Sequence, residues 1–309
     1  MTNEPYTFLD PQDEKNLSLD TDRMKVGAFE AHLTPLSAAD VKQLHELSVN
    51  VFWPHRDRDL ALFLEVGSGY MARDQIGRPL GSAMYFPCGD DFAMIGMMMT
   101  APRLQSRGTG RWLLHHVMRD CAARDLRLSA TRSGYWLYES SGFLPVATIR
   151  RHQGIVRSVY RPDKIAGVTL RRGTLVDKAA IAALDRIGFG ADRQTILDRL
   201  WEKSTSVVAK RAGSIVGYAF FRNFGRGTVI GPVVADSDEM AMHLTASLLA
   251  DQEDTFVRID TPVRDGKFTA FLSAVGLGMF DTVTEMRVGP HRRATDGSVI
   301  YGLAAQALG

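Results

Sequence analysis

The stretch Gly96-Met97-Met98-Met99-Thr100-Ala101-Pro102-Arg103-Leu104-Gln105-Ser106-Arg107-Gly108-Thr109-Gly110-Arg111 governs how the rest of this chain is read. An apolar strand runs through a short basic loop into a helix whose first turn holds glycine. Gly108 and Gly110 let the backbone approach a ligand closely, and the free N–H groups and positive dipole end of the following helix favour a phosphate there. Arg107 and Arg111 add positive charge. The helix is predicted from Leu113, Leu114, Val117, Met118 and Cys121, which form one apolar stripe, while Arg111, His115, Arg119, Asp120 and Arg124 lie mostly off it. On these residues alone, glycines beside a cation also fit a plain turn. The Gly-Lys-Ser/Thr of a Walker A loop is absent, and so is the third glycine of a dinucleotide fingerprint.

The spacing Gln105, two residues, Gly108, one residue, Gly110 resembles motif A of the GNAT superfamily of acyl-CoA N-acyltransferases, with Pro102 where that family often has a proline and Ser106 in place of a frequent glycine. A second element lies farther on. Leu126 to Thr131 reads as a short strand and Gly134 to Ser141 as a short helix, and Tyr138-Glu139-Ser140-Ser141-Gly142-Phe143 matches motif B of the same superfamily. The resemblance implies that Gln105, Ser106, Arg107, Gly108, Thr109, Gly110 and Arg111 hold the pyrophosphate of acetyl-CoA. It also implies that the backbone of Met98, Met99 and Thr100 holds pantetheine and the thioester carbonyl, stabilising the developing oxyanion. Tyr138 would then protonate the leaving thiolate as general acid. On the residues alone, Tyr138 also reads as a helix-end aromatic that packs, and the methionine side chains as core.

A chain of 309 residues suggests two domains, and its markers recur in register. Gly81-Ser-Ala-Met-Tyr precedes Ile95-Gly96 as Gly217-Tyr-Ala-Phe-Phe precedes Ile230-Gly231, and Gly142 after Tyr-Glu-Ser-Ser pairs with Gly276 after Leu-Ser-Ala-Val. Each half reads as a strand, one or two helices, a strand hairpin, another strand, then helix, strand, helix, strand. The hairpins are Tyr70 to Arg73 with Pro79 to Phe86, and Ser206 to Lys210 with Ile215 to Phe221. The expected fold is therefore α/β of mixed α+β type: two tandem GNAT-like domains, each a mixed, mostly antiparallel twisted sheet with helices on both faces. The expected boundaries are 1–28 for a polar tail or arm, 29–163 for a catalytic, acetyl-CoA-binding domain, and 164–309 for a degenerate domain serving the acceptor pocket or assembly. Degeneracy is read from Asp236-Ser237-Asp238-Glu239, where acidic helix-capping residues replace the basic glycine loop and would repel a pyrophosphate.

The acceptor side is read from Val51-Phe52-Trp53-Pro54-His55-Arg56-Asp57-Arg58-Asp59, since in the family this segment often borders the amine. Trp53 offers a flat wall and His55 a base near neutral pH, although a solvated turn anchored by a buried Trp fits equally. Asp260, at the end of a predicted apolar strand, is a carboxylate able to pair with a cationic amine, and strand-end aspartates also initiate turns. No single carboxylate stands out as the general base.

Near-balance of 37 basic and 35 acidic residues gives no global pull toward nucleic acid or anionic membrane. Two cysteines, Cys88 and Cys121, argue against a disulfide framework, and no ligand cluster points to a metal. No signal-peptide core or membrane-length apolar run is present, so a cytoplasmic enzyme is the default. The expectation is an N-acetyltransferase acting on a primary amine of a small molecule by direct attack in a ternary complex, with a homodimer among the allowed assemblies. The alternatives are transfer of another acyl group, a non-catalytic acyl-CoA sensor, and acetylation of a protein or peptide.

Overall fold

The computed structural model describes residues 19–26, 29–160 and 162–309, so the expectation of a tail or arm over 1–28 lies outside the described residues up to residue 18. The chain divides into two compact units: residues 1–85 with 97–122, and residues 86–96 with 123–309.

The first unit builds an antiparallel run of β1 (Arg23–Val26), β2 (Phe29–Pro35), β3 (Ser68–Arg73) and β4 (Pro79–Pro87), continued by the Met97–Thr100 end of β5 (Phe92–Thr100). Part of the polar N-terminal segment is thus a strand, with Arg23 opposite His32 and Val26 opposite Phe29. Between β2 and β3 lie α1 (Val41–Asn50) and α2 (Asp57–Val66), whose Leu44, Leu47, Leu60 and Phe63 are fully buried at helical spacing. Helix α3 (Thr109–Asp120) follows β5. Its buried face is wider than the predicted stripe, because Trp112 and His116 are also fully buried. Both turn a polar nitrogen to one acceptor, the Thr21 carbonyl: Trp112 Nε1 donates at 2.8 Å and His116 Nε2 lies at 3.3 Å. One backbone carbonyl thus meets the indole N–H and one imidazole nitrogen of two buried rings, while His116 Nδ1 has no partner among the described residues. Gly81 has a separate reason, since a Cβ there would lie 2.7 Å from the Met99 carbonyl oxygen and 3.0 Å from Leu113.

In the second unit the order is β5 (its Phe92–Ile95 part), β6 (Asp125–Ala130), β13 (Gly278–Val288), β7 (Leu144–Ile155), β12 (Phe256–Thr261), β11 (Gly227–Ala235), β10 (Ser214–Phe224), β9 (Thr205–Arg211) and β8 (Val168–Arg172), with β14 (Val299–Gly302) beside β11. The β5–β6 and β11–β12 pairs are parallel and the others antiparallel, giving the mixed, mostly antiparallel sheet expected. The two sequence halves exchange strands here. β13 from the second half enters between β6 and β7 of the first, and β7 enters between β12 and β13 of the second. β7 is paired with β13 along Leu144 to Gln153 and with β12 along Arg150 to Ile155, so its second half is laddered on both sides.

Helices α4 (Tyr135–Ser140), α5 (Lys178–Phe189), α6 (Gln194–Glu202), α7 (Asp238–Leu249) and α8 (Lys267–Ala274) complete this unit. Leu244, Leu249, Phe268, Phe271 and Leu272 from α7 and α8 pack with Ile230, Val233 and Ile259 of the sheet. A polar knot sits beside this core: Arg193 clasps Asp185 through Nε and Nη2, both at 2.8 Å, and the Tyr218 hydroxyl donates to the same carboxylate. All three side chains are fully enclosed. Asp185→Ala would leave a buried guanidinium without its counter-charge, so an expected loss of about 3–5 kcal/mol is read by urea unfolding; a loss below about 1 kcal/mol contradicts this account.

Candidate functional site

Met97 breaks the extended run of β5 with a φ of 51°, a conformation that a residue bearing a side chain rarely adopts. The turn of backbone here is fixed from β4, where the buried Ser82 hydroxyl donates to the Met97 carbonyl at 2.8 Å. Met97 and Met99 are buried core, as read from the sequence, while Met98 and Thr100 are half-buried. A one-turn helix (Pro102–Leu104) then leads to Gln105, whose Nε2 donates to the Thr100 carbonyl at 3.4 Å.

The loop itself contains two left-handed residues, Ser106 at φ 61° and Gly108 at φ 84°. Gly108 is the N-cap of α3 and supplies no side chain, no acidic residue occupies the first turn, and no side-chain hydrogen bond caps it. Among the described residues the first N–H groups of this 12-residue helix therefore meet no built-in anion, with Arg107 and Arg111 exposed on either side. Thr109, at the first helical position, is buried, and among the described residues its hydroxyl has no hydrogen-bond partner. This donor-rich, acid-free end fits the pyrophosphate of an acyl-CoA. Met98, Met99, Thr100 and Gln105 to Arg111 thus lie together at the end of β5 and the start of α3.

The equivalent helix of the second half is closed by its own side chains. At the start of α7 the Ser237 hydroxyl accepts from Met240 N at 3.3 Å, and Asp238 and Glu239 occupy the first turn. Asp238 accepts from Phe268 N at 3.1 Å and from the Tyr301 hydroxyl at 2.9 Å, and Glu239 pairs with Lys267 at 2.6 Å. Carboxylates there take the place an anion would need.

Tyr138, described within the second unit, is buried in α4 at 7% exposure. Its ring stands edge-on to Phe143 with centroids 6.0 Å apart, and a Cβ on Gly134 would come within 3.0 Å of Cε2. Gly142 ends α4 at φ 90°, its N–H bonded to the Glu139 carbonyl at 3.0 Å, which swings Phe143 back so that its N–H meets the Tyr138 carbonyl at 3.0 Å. The Tyr-Glu-Ser-Ser-Gly-Phe spacing is thereby a device for fixing one phenol. Among the described residues that hydroxyl makes no hydrogen bond, and burial pushes it well above the ordinary tyrosine value of 10.0.

Trp53 and His55 share the α1–α2 connection of the first unit. The Trp53 N–H donates to the Ser48 carbonyl at 2.8 Å, the Ser48 hydroxyl lies 3.2 Å from His55 Nδ1, and the His55 ring stands edge-on to Trp53 and to Phe63, each at 5.6 Å. Asp260, in the second unit, is 1% exposed and held by its own neighbours. Arg258 Nε donates to it at 2.9 Å, Arg151 Nε lies at 3.5 Å, and Gln306 Nε2 donates at 3.3 Å. Arg258 stands two residues before Asp260 on the same strand face, a pairing the sequence already contained. The break at Met97 and its Ser82 tether had no sequence signal, since glycine precedes that position instead of occupying it. Among the described residues no group of three or more His, Cys, Asp or Glu side chains is placed to hold a metal, and no helix is long and apolar enough to cross a membrane.

Two family models match this chain: the acetyltransferase (GNAT) family over residues 38–143 and the acetyltransferase (GNAT) domain over residues 181–302. The chain is 25% identical over 281 residues to an uncharacterized N-acetyltransferase, YitH, of Bacillus subtilis, an alignment that spans 90% of this chain and 98% of that protein. Its fold is similar to a putative acetyltransferase from Pyrococcus horikoshii, with a TM-score of 0.73 at 21% identity over 90% of this chain and 96% of the other. It is also similar to a tandem GNAT protein from the clavulanic acid biosynthesis pathway, with a TM-score of 0.60 at 16% identity over 84% of this chain and 99% of the other. Enzymes of this family use acetyl-CoA or another acyl-CoA and act on small-molecule or protein acceptors. With one family model on each half, this chain belongs to the GNAT acetyltransferases, as a tandem-domain N-acetyltransferase.

Proposed function

We propose that the protein transfers an acetyl group from acetyl-CoA to a primary amine of a small molecule, by direct attack in a ternary complex. The carrying observation is the contrast between the two helix starts, one without an acid or a cap at Gly108 and one filled by Ser237, Asp238 and Glu239. It supports acetyl-CoA binding by a domain of residues 29–163 alone, with residues 164–309 as a degenerate partner serving the acceptor pocket or assembly. Arg107, Arg111 and the N–H groups of Thr109 to Arg111 hold the pyrophosphate, and the backbone from Met98 to Thr100 holds pantetheine and polarises the thioester carbonyl. Acetyl-CoA supplies an activated carbonyl and a thiolate leaving group. The amine nitrogen bonds to that carbonyl carbon, the carbon–sulfur bond breaks, and Tyr138 gives its proton to the departing sulfur.

Trp53 and His55 are the proposed acceptor contacts, Trp53 as a wall and His55 as a base or the entry of a water chain. Asp260 is proposed as a further acceptor contact acting through its arginine-held carboxylate. The test is turnover across a panel of small primary amines, read as thiol release. Acetylation of at least one amine is expected. A protein that binds acetyl-CoA yet is inert across the panel and on peptide amines contradicts the enzyme reading and favours a sensor.

A pH profile checks the acid separately. Because burial raises the Tyr138 hydroxyl above 10.0, its protonated form persists through the neutral and mildly alkaline range. With amine and acetyl-CoA saturating, kcat is expected to show no loss from Tyr138 between pH 7 and pH 10, where an ordinary tyrosine begins to ionise. A falling limb in that window that disappears in Tyr138→Phe contradicts this.

A further inference from the structure

A groove of about 320 Å³ opens over β13, β7 and the segment after β12, lined among others by Pro145, Thr148, Arg150, Pro262, Arg264 and Thr284. That volume is at the small end of the range for small-molecule sites. Among the described residues no carboxylate lines it. Thr148 and Thr284 are directly opposite one another on β7 and β13, which sets two hydroxyls side by side, and neither hydroxyl is hydrogen-bonded to a described residue. Arg264 makes no ion pair or hydrogen bond with a described residue. Arg150, its side chain 22% exposed, is held only loosely: Nη1 reaches the Val263 carbonyl at 3.5 Å, and Nε lies 3.8 Å from Asp265, whose carboxylate is 93% exposed.

We propose that this groove binds a small molecule through a phosphate or carboxylate group, clamped between the Arg150 and Arg264 guanidiniums with the two threonine hydroxyls as further donors. Guanidinium forks match such oxyanions in geometry as well as charge, and the proline rings at Pro145 and Pro262 wall the site without flexible side chains. Thr148 and Arg150 come from the first half of the sequence, and Arg264 and Thr284 from the second. The site exists only because β7 and β13 interleave, and a single unpaired domain would not form it.

Calorimetry with inorganic phosphate and with succinate tests this on the full chain in the Gly108→Glu background, which removes the acyl-CoA loop as a competing anion site. Saturable binding of one of the two, near one per chain, is expected. Preference for phosphate assigns a phosphorylated ligand and preference for succinate a carboxylate. Arg264→Gln, on an exposed loop, and Arg150→Gln should each weaken binding at least about tenfold, the value of one charge-assisted hydrogen bond. In the wild-type background both variants should bind acetyl-CoA unchanged, which separates failure of this site from failure of the acyl-CoA reading. Absence of binding by either anion, or equal binding in Arg264→Gln, overturns the proposal.

Discussion

Tyr138→Phe is expected to lower kcat by about 10²- to 10⁴-fold, the usual worth of a positioned general acid, while the affinity for acetyl-CoA is unchanged. The substitution removes one oxygen from a ring whose place is fixed by Gly134 and Phe143, so the packing that holds α4 survives. What the substitution removes is the proton proposed to meet the departing sulfur. Kinetics at saturating acetyl-CoA beside a calorimetric dissociation constant separate the two effects. A variant with wild-type kcat would show that Tyr138 only packs. A variant with wild-type kcat per bound molecule but weakened binding would make it a cofactor contact.

The second large effect is expected from Gly108→Glu. Position 108 is left-handed at φ 84°, so any side chain there costs about 1–2 kcal/mol of local strain. A carboxylate adds repulsion of about 4 kcal/mol against a phosphate 4 Å away at an effective dielectric near 20, or about a thousandfold in affinity. Gly108→Ala carries the strain without the charge and should keep most of the binding that Gly108→Glu loses. Equal losses in the two variants would mean that backbone shape, and not charge, dominates the loop.

Local chemistry was legible in the sequence and long-range pairing was not. The glycine loop, the helix after it and the Tyr138 to Phe143 turn are contiguous, so residue order alone specifies them. The exchange of β7 and β13 is not, because alternation along a strand tells which face is buried but not which strand lies beside it. β1 was hidden for a related reason: Arg23-Met24-Lys25-Val26 is too short and too charged to stand out, and becomes a strand only by pairing with β2. Trp112 and His116 were left off the buried face of α3 because the carbonyl that satisfies them, that of Thr21, is some 90 residues away in sequence. The partners of Asp260 were legible only in part: Arg258 stands two residues before it in the sequence, whereas Arg151 and Gln306 reach it only through the fold.

Acetyl-CoA is proposed to bind one half of this tandem chain, since the equivalent helix start of the other half is filled by its own carboxylates. Calorimetric titration of acetyl-CoA into the wild-type protein, alongside Gly108→Glu, tests it most directly. One molecule bound per wild-type chain and none in the variant is the expected result. Two molecules per chain, or one that persists in Gly108→Glu, would contradict it, and no binding by folded wild-type protein would reduce the Gly108 loop to a turn.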